Sequence, residues 1–157
     1  MKADTSERQS VESLEIRKEI EIAAPIDTAF EAMLDELGPE ARMHDGKSLQ
    51  MKIEPRPGGR WYRDLGDNSG HLWGHVQVIK PPTLLEICGP LMMSYPAANH
   101  IQYRLKAEGS ATRLMFLHRA MGFILPEHRD GMPKGWELWL ERIRDLAQRK
   151  NRKETHR

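Results

Sequence analysis

The sequence predicts an α+β domain in which an antiparallel sheet of about seven strands covers one long C-terminal helix. Segments with a two-residue apolar period, separated by turn residues, extend along most of the chain and are typical of strands joined by hairpins. Near the C-terminus, Gly135–Lys150 instead has the helical period, with its apolar side chains inside an arc of about 120°. An antiparallel sheet has one apolar face to cover, and this helix matches it in length, at about 24 Å.

The N-terminal part of the chain predicts one strand and one helix. Apolar and charged residues alternate from Leu14 to Ile22, which is the pattern of a half-buried strand. Lys18 interrupts the apolar face, which is compatible with an edge position. Ala24-Pro25 then opens a helix, because proline suits the first turn and Asp27 favours the positive N-terminal end. Gly38-Pro39 ends it.

Six further strands are predicted in the middle of the chain. Their segments are Leu49–Ile53, Arg60–Leu65, Leu72–Ile79, Leu84–Cys88, Ile101–Ala107 and Thr112–Met121. Turn residues separate them at Pro57-Gly58-Gly59, Asp67-Asn68-Ser69-Gly70, Pro81-Pro82 and Glu108-Gly109-Ser110. Because most connections are this short, the strands are expected to pair as antiparallel neighbours.

Length and composition favour one domain with a real core. The chain has 157 residues, of which 39 % are hydrophobic and 30 % charged, and this leaves no room for a second domain. Residues 13–150 are predicted to form the domain, between a disordered N-terminal tail at 1–12 and a basic C-terminal tail at 151–157. The formal net charge of +1 indicates no general preference for nucleic acid or anionic membranes.

Cysteine usage and the distribution of apolar residues bear on location. Cys88 is the only cysteine, so the chain cannot form an internal disulfide, and a reducing compartment is expected. The first twelve residues lack the apolar segment of a signal peptide, and no run approaches the 18 or so apolar residues of a membrane span. A cytoplasmic protein without membrane insertion is therefore expected.

Two tryptophans in the first turn of the predicted C-terminal helix are the leading candidates for function. Core packing and the wall of a cavity both account for Trp136 and Trp139 at this spacing. The loops Gly89–Ala98 and Gly122–Lys134 lead into elements that border this end of the helix. Both loops hold more apolar surface than a solvent-exposed loop should carry, so they are predicted to form the mouth of a cavity.

Four short motifs carry a resemblance to a known family. They are Pro57-Gly58-Gly59-Arg60-Trp61, the segment from Gly74 to Pro82, Thr112-Arg113-Leu114 and Gly135-Trp136-Glu137. In this order the chain resembles the activator of heat-shock-protein ATPase homologue-like family of the START/SRPBCC superfamily, which includes the birch-pollen allergen. The resemblance covers Leu14–Gln148. It implies a helix-grip fold, with a curved sheet wrapped on the C-terminal helix, and a hydrophobic ligand pocket more than any particular reaction. Leu91–Pro96 is richer in methionine than the family pattern, which bears on ligand size and polarity.

The predicted function is binding of a small hydrophobic or amphipathic molecule in a cavity between the sheet and the C-terminal helix. The predicted lining is aromatic and apolar with one imidazole: Trp61, Trp73, Met92, Tyr95, Tyr103, Phe116, His118, Phe123, Trp136, Trp139, Leu140 and Ile143. No catalytic residue and no cofactor is assigned. No metal site is predicted either, since His71 and His75 lie about 13 Å apart along a strand.

Two other classes of function remain open. An enzyme of the cyclase, dehydratase or hydrolase type would use the same cavity, with His118, Tyr103 or Glu86 as polar participants. A co-chaperone-like interaction module would instead use the outer face of the sheet. A homodimer is also compatible with the pattern, because the strand around Met115 and Leu117 is apolar on both faces. An enzyme should bring polar side chains together in the cavity, whereas a binding protein should have one or two polar groups in an apolar pocket.

Overall fold

The computed structural model describes residues 9–156 and has the predicted α+β architecture. Its elements are β1 (Glu12–Ile22), α1 (Ile26–Leu37), β2 (Met51–Ile53), β3 (Arg60–Gly66), β4 (Ser69–Lys80), β5 (Leu84–Gly89), β6 (Ala97–Glu108), β7 (Ala111–Gly122) and α2 (Pro126–Thr155). The strands form one curved antiparallel sheet in the order β1-β7-β6-β5-β4-β3-β2. This helix-grip-like arrangement confirms the predicted fold class.

Strand β1 lies at one edge of the sheet, a position compatible with Lys18 on its apolar face. It pairs with β7 along its whole length, and Lys18 lies opposite Phe116 on the face that α2 covers. The ammonium group is 4.0 Å from the carboxylate of Glu137 on α2, and the Lys18 side chain keeps 31 % of its exposure. The edge position therefore lets a charge sit beside the apolar face while it remains in contact with water.

The turn between β3 and β4 is tighter than the four residues that the sequence indicated. Asp67 and Asn68 alone form the tip, with φ angles of 51° and 58°, and Ser69 and Gly70 already belong to β4. Both tip residues tolerate the left-handed region, which a two-residue hairpin of this kind requires. Gly70 has a different role, since an added Cβ would lie 2.1 Å from the carbonyl oxygen of Arg63.

Helix α2 begins nine residues before the predicted start at Gly135. Pro126 occupies its first turn, and Pro133 lies inside the helix rather than before it. Met132 is buried one turn ahead of Trp136, so the apolar stripe continues toward the N-terminus and packing compensates for the poor helix formers. The segment Gly122–Lys134, expected to be a loop, is therefore helical from Pro126 onward.

The two ends of the chain also differ in detail from the expected tails. Strand β1 begins at Glu12, the last residue of the expected N-terminal tail, and residues 1–8 lie outside the described part of the chain. At the other end α2 continues through residues 151–155. The division into one domain and two tails stays a prediction. Within residues 9–156, no helix combines the length and the apolar character that crossing a bilayer requires.

One core lies between the inner face of the sheet and the two helices. Helix α2 packs against both α1 and β1, and its buried residues are Met132, Trp136, Leu140, Ile143 and Ala147. The sheet contributes side chains that are also fully enclosed, among them Trp61, Tyr103 and Leu114. The C-terminal helix is thus the cover of the apolar sheet face, as its length and periodicity predicted.

Candidate functional site: a pocket beside the C-terminal helix

Aromatic rings fill the centre of the space between the sheet and α2. Tyr103 packs on Phe116 with ring centroids 5.1 Å apart, and Phe116 packs on Trp136 at 4.7 Å. Trp136 stacks on Trp139 at 5.6 Å, and Trp139 lies 5.8 Å from Trp61. Each contact buries large ring surfaces, so this row stabilises the core. The space that the sequence assigned to a ligand is, at its centre, occupied by these side chains.

A pocket with a volume of about 540 Å³ lies at the side of this aromatic row. It is bounded by the N-terminal half of α2, the loop that connects α1 to β2, and Met92. The lining residues are Arg42, Met43, His44, Asp45, Leu49, Met92, Glu127, His128, Gly131, Met132, Gly135, Trp136, Leu138, Trp139 and Arg142. The volume of this pocket and its mostly apolar lining are typical of a binding site for a small molecule.

The wall opposite α2 is the segment 42–49, here called the flap. Its base is closed by a hydrogen bond of 2.9 Å from the amide of Leu49 to the carbonyl of Ala41. Arg142 on α2 holds it from the other side, since its guanidinium donates to the carbonyl oxygens of Arg42 at 2.6 Å and Met43 at 3.3 Å. A charged donor shared by two carbonyls fixes the flap against the helix, and so keeps the pocket walls at a set separation.

A tyrosine–histidine pair lies at the N-terminal end of the pocket. The Tyr95 hydroxyl is 2.6 Å from Nδ1 of His128, and the two rings stack with centroids 5.6 Å apart. The amide of Leu125 donates to the same hydroxyl oxygen at 3.3 Å. The hydroxyl oxygen has two lone pairs as well as its proton, so it can accept from Leu125 and also share a hydrogen bond with Nδ1. The pair thus holds the imidazole of His128 at the pocket wall through Nδ1 and leaves Nε2 without a protein partner among the described residues.

His118 connects the aromatic row to the neighbouring strand. The indole Nε1 of Trp136 donates to His118 Nδ1 at 3.0 Å, so Nε2 carries the proton and donates to Asn99 Oδ1 at 2.7 Å. Burial lowers the pKa of His118 to about 4, because the charged form would lose its hydration. Asn99 in turn donates to the carbonyl of Pro90 at 3.2 Å. Both ring nitrogens are thus occupied inside the protein, and His118 positions Trp136 rather than facing a ligand.

We expect His118 to remain neutral, with the proton on Nε2, throughout the range from pH 5 to pH 7. The reason is that its burial disfavours the imidazolium, while the Trp136 indole needs Nδ1 as an acceptor. The imidazole ¹⁵N chemical shifts of a histidine-labelled sample would report this directly. A His118 resonance that titrates with a midpoint above pH 6 would contradict the assignment.

Three buried polar atoms have no hydrogen-bond partner among the described residues: Glu36 Oε2, Trp73 Nε1 and Tyr103 Oη. Burial raises the pKa of Glu36 to about 7, against the opposing charges of Arg142, Arg149 and Arg42. The pKa of Tyr103 is also raised, again by burial. The Glu36 backbone accepts the indole proton of Trp139 at 2.9 Å, so this acidic residue lies directly behind one aromatic wall of the pocket.

The structure brings together some of the residues that the sequence nominated and separates others. Met92, Trp136 and Trp139 line the pocket. Tyr95 reaches it through His128, and Phe123 is half-buried in the connection between β7 and α2. The remainder belong to the packed core: Trp61, Trp73, Tyr103, Phe116, His118, Leu140 and Ile143.

Glu86 does not share a site with His118 and Tyr103. It alternates with the buried residues Leu85 and Ile87 and so faces the outer side of the sheet. There its carboxylate accepts a hydrogen bond of 2.6 Å from Gln102 and lies 3.8 Å from His100. The three polar participants suggested for an enzyme therefore do not converge. Among the described residues, no group of three or more His, Cys, Asp or Glu side chains is placed to hold a metal ion.

Several lining residues were not expected from the sequence. The flap has weak periodicity and mostly exposed residues, so nothing local marks it as a wall. The segment predicted to be a loop, because of its glycine and proline residues, contains His128, Gly131 and Met132. One available signal was the recurrence of Gly131 and Gly135 four residues apart, which places both on one face of a helix.

Comparison with known families identifies the chain. The model of the family described as activator of Hsp90 ATPase homolog 1-like protein matches residues 23–148, which is most of the sequence. The chain belongs to this family. The assignment confirms the resemblance that the sequence motifs indicated, and the family and fold suggest a ligand-binding cavity or a related role.

Solved structures share the fold at low sequence identity. A Rhizobium leguminosarum protein aligns with a TM-score of 0.71 and 21 % identity, over 91 % of this chain and 99 % of its own. A Staphylococcus aureus protein of unknown function aligns with a TM-score of 0.68 and 12 % identity, over 90 % and 98 % of the two chains. CalU16 from Micromonospora echinospora aligns with a TM-score of 0.59 and 21 % identity, over 88 % of this chain and 87 % of its own. No protein with a curated description matches the sequence.

Proposed function

We propose that this AHSA1-like protein binds a small, mostly apolar molecule in the pocket between α2 and the flap. The observation that carries the proposal is the lining itself. Trp139, Met92 and Leu138 are only partly buried by the protein and present apolar surface to a concave space of about 540 Å³. A ligand that covers such surface is stabilised by about 25 cal/mol for each Å² of apolar area removed from water.

Methionine suits this pocket to ligands of varied shape. Met43, Met92 and Met132 come from the flap, the loop between β5 and β6, and α2, so they approach the space from three directions. Thioether side chains are flexible and polarizable, and they contact aromatic groups favourably. Side chains that can adjust around a ligand are consistent with a binding protein that recognises mainly apolar surface.

The polar group that orients the ligand is His128. Tyr95 holds the ring through Nδ1, and when the hydroxyl donates to Nδ1 the imidazole proton is on Nε2, where it can be donated to an oxygen of the ligand. A donor at this place in a mostly apolar pocket, whose lining also includes Arg42 and Arg142, favours an amphipathic molecule with a carbonyl, carboxylate or hydroxyl oxygen. This arrangement fits binding better than catalysis, because no nucleophile and paired base come together at the pocket.

The proposal includes a cytoplasmic location, with no nucleic-acid partner and no insertion into a membrane. Arg42 and Arg142 in the lining are accompanied by Asp45 and Glu127, so the pocket does not form a basic tract. A homodimer through the outer sheet face also stays part of the proposal. There Met115 and Leu117 of β7 are half-buried without a covering element among the described residues.

Replacing Met92 by alanine is expected to weaken binding of an anilinonaphthalene sulfonate probe about tenfold. The change removes apolar contact from the pocket wall, and a tenfold loss corresponds to about 1.4 kcal/mol. Fluorescence titration of the purified protein measures it. Leu65→Ala is the control, because Leu65 is also a large apolar residue with part of its surface exposed, but it lies on β3 outside the pocket lining. Equal probe affinity in the two variants would count against the pocket as the binding site.

A further inference from the structure

Two glycines of α2, here called the glycine floor, face the pocket at Gly131 and Gly135. They are four residues apart, so they lie on the same side of the helix about 6 Å apart along its axis. Glycine is a poor residue for a helix interior compared with alanine, because it has more backbone entropy to lose. Two of them in one helical turn therefore call for a reason other than helix formation.

Neither the backbone nor internal packing explains the glycine floor. Both residues belong to α2, and neither has a positive φ angle. A Cβ added at Gly131 or Gly135 would meet no atom within 4 Å. At Gly74, in contrast, an added Cβ would lie 2.7 Å from the carbonyl oxygen of Cys88, so close packing of strands requires that glycine. The open space above the glycine floor belongs to the pocket.

Aromatic and thioether side chains line the pocket around the glycine floor. Met132, Trp136 and Trp139 come from the same helix, whereas Met92 and the flap belong to other segments. A ligand in this pocket can approach the helix backbone more closely than any side chain at these positions would permit. A flat ring system fits such a bare strip about one turn long, and indole and thioether groups contact its faces and edges favourably.

We infer that Gly131 and Gly135 determine specificity by admitting a flat, apolar ring system against the backbone of α2. The inference deepens the proposed function and rests on it. The site itself is the pocket of about 540 Å³, and the glycine floor sets its depth and shape. A globular apolar body of similar size would contact the walls before it reached the backbone, and would leave the floor uncovered.

The test compares two carboxylates with ten-carbon apolar bodies, the flat 2-naphthoate and the globular 1-adamantanecarboxylate. Isothermal titration calorimetry on the full chain is expected to show at least tenfold tighter binding of 2-naphthoate. In the double variant Gly131→Ala/Gly135→Ala, the preference is expected to fall at least fivefold, while Tm rises by a few degrees because alanine favours the helix. Asp130→Ala, exposed on α2 outside the pocket lining, is expected to keep the wild-type preference.

The outcomes separate this inference from the proposed function. If wild-type protein binds neither carboxylate nor the anilinonaphthalene probe, the proposed function fails. If it binds them and Met92→Ala weakens binding, but the double glycine variant keeps the wild-type preference, the glycine floor has no role in specificity. A fall in Tm of the double variant would also overturn the inference, since it would show that the fold itself requires glycine there.

Discussion

Replacing Trp136 by alanine is expected to lower the free energy of unfolding by about 3 to 5 kcal/mol. Trp136 is 2 % exposed, and its ring packs on Phe116, His118 and Trp139. The substitution opens a cavity at the centre of the aromatic row. It also removes the only donor to His118 Nδ1 within the described residues, which leaves a buried acceptor unpaired. Urea denaturation followed by circular dichroism measures the loss.

Trp136→Phe is the informative control for this prediction. It retains a ring in the row but removes the indole N–H, so a smaller loss of about 1 to 3 kcal/mol is expected from the unpaired imidazole nitrogen. From the sequence, Trp136 could belong to the core or to a cavity wall. In the structure it does both, since it is buried and also lines the pocket. A Trp136→Ala variant as stable as wild type would contradict its place in the core.

Replacing Glu36 by glutamine is expected to stabilise the protein above pH 7 and to change little near pH 4.5. The pKa of Glu36 is about 7 in the folded protein because of burial, against its ordinary value of 4.5. A raised pKa means that the folded state binds the proton more tightly than the unfolded chain. The stabilisation from the protonated form is thus complete below about pH 4.5 and is lost as the pH rises through 7.

The expected gain for Glu36→Gln at pH 8.5 is up to about 3 kcal/mol, from a difference of 2.5 in pKa at about 1.36 kcal/mol each. Denaturant unfolding of wild type and variant at pH 4.5, 7 and 8.5 measures it. Glu154→Gln, a change at an exposed carboxylate near the C-terminal end of α2, should alter stability by less than about 0.5 kcal/mol at every pH. A constant difference between wild type and Glu36→Gln across this range would refute the assigned ionisation.

Much of the fold could be predicted because its signals are local. Alternation from Leu14 to Ile22 marks the first strand, and Asp67-Asn68 marks a hairpin tip, whatever the rest of the chain does. The predicted start of α2 was wrong because that prediction also relied on local signals. Pro133 and Gly135 disfavour a helix locally, and only the packing of Met132 against the rest of the core outweighs that preference.

The candidate site could be predicted only in part, because its walls come from distant segments. Trp136, Trp139 and Met92 stood out by residue type alone. The flap contributes Met43 and Leu49 to the pocket lining. Its carbonyl groups are held by Arg142, which lies about a hundred residues later in the chain. Nothing in the flap's own sequence specifies that contact.

The sequence by itself determined the class of fold, the family and the apolar character of the face between sheet and helix. These depend on period, turn chemistry and residue type, which are properties of short segments. Only the tertiary structure decided where open space remains. The large rings of Trp61, Tyr103 and Phe116 fill the centre, whereas the bare backbone at Gly131 and Gly135 leaves room at the side of α2. Cavities are what remains after side chains from distant elements have packed, so their position follows from the whole set of contacts and from no single segment.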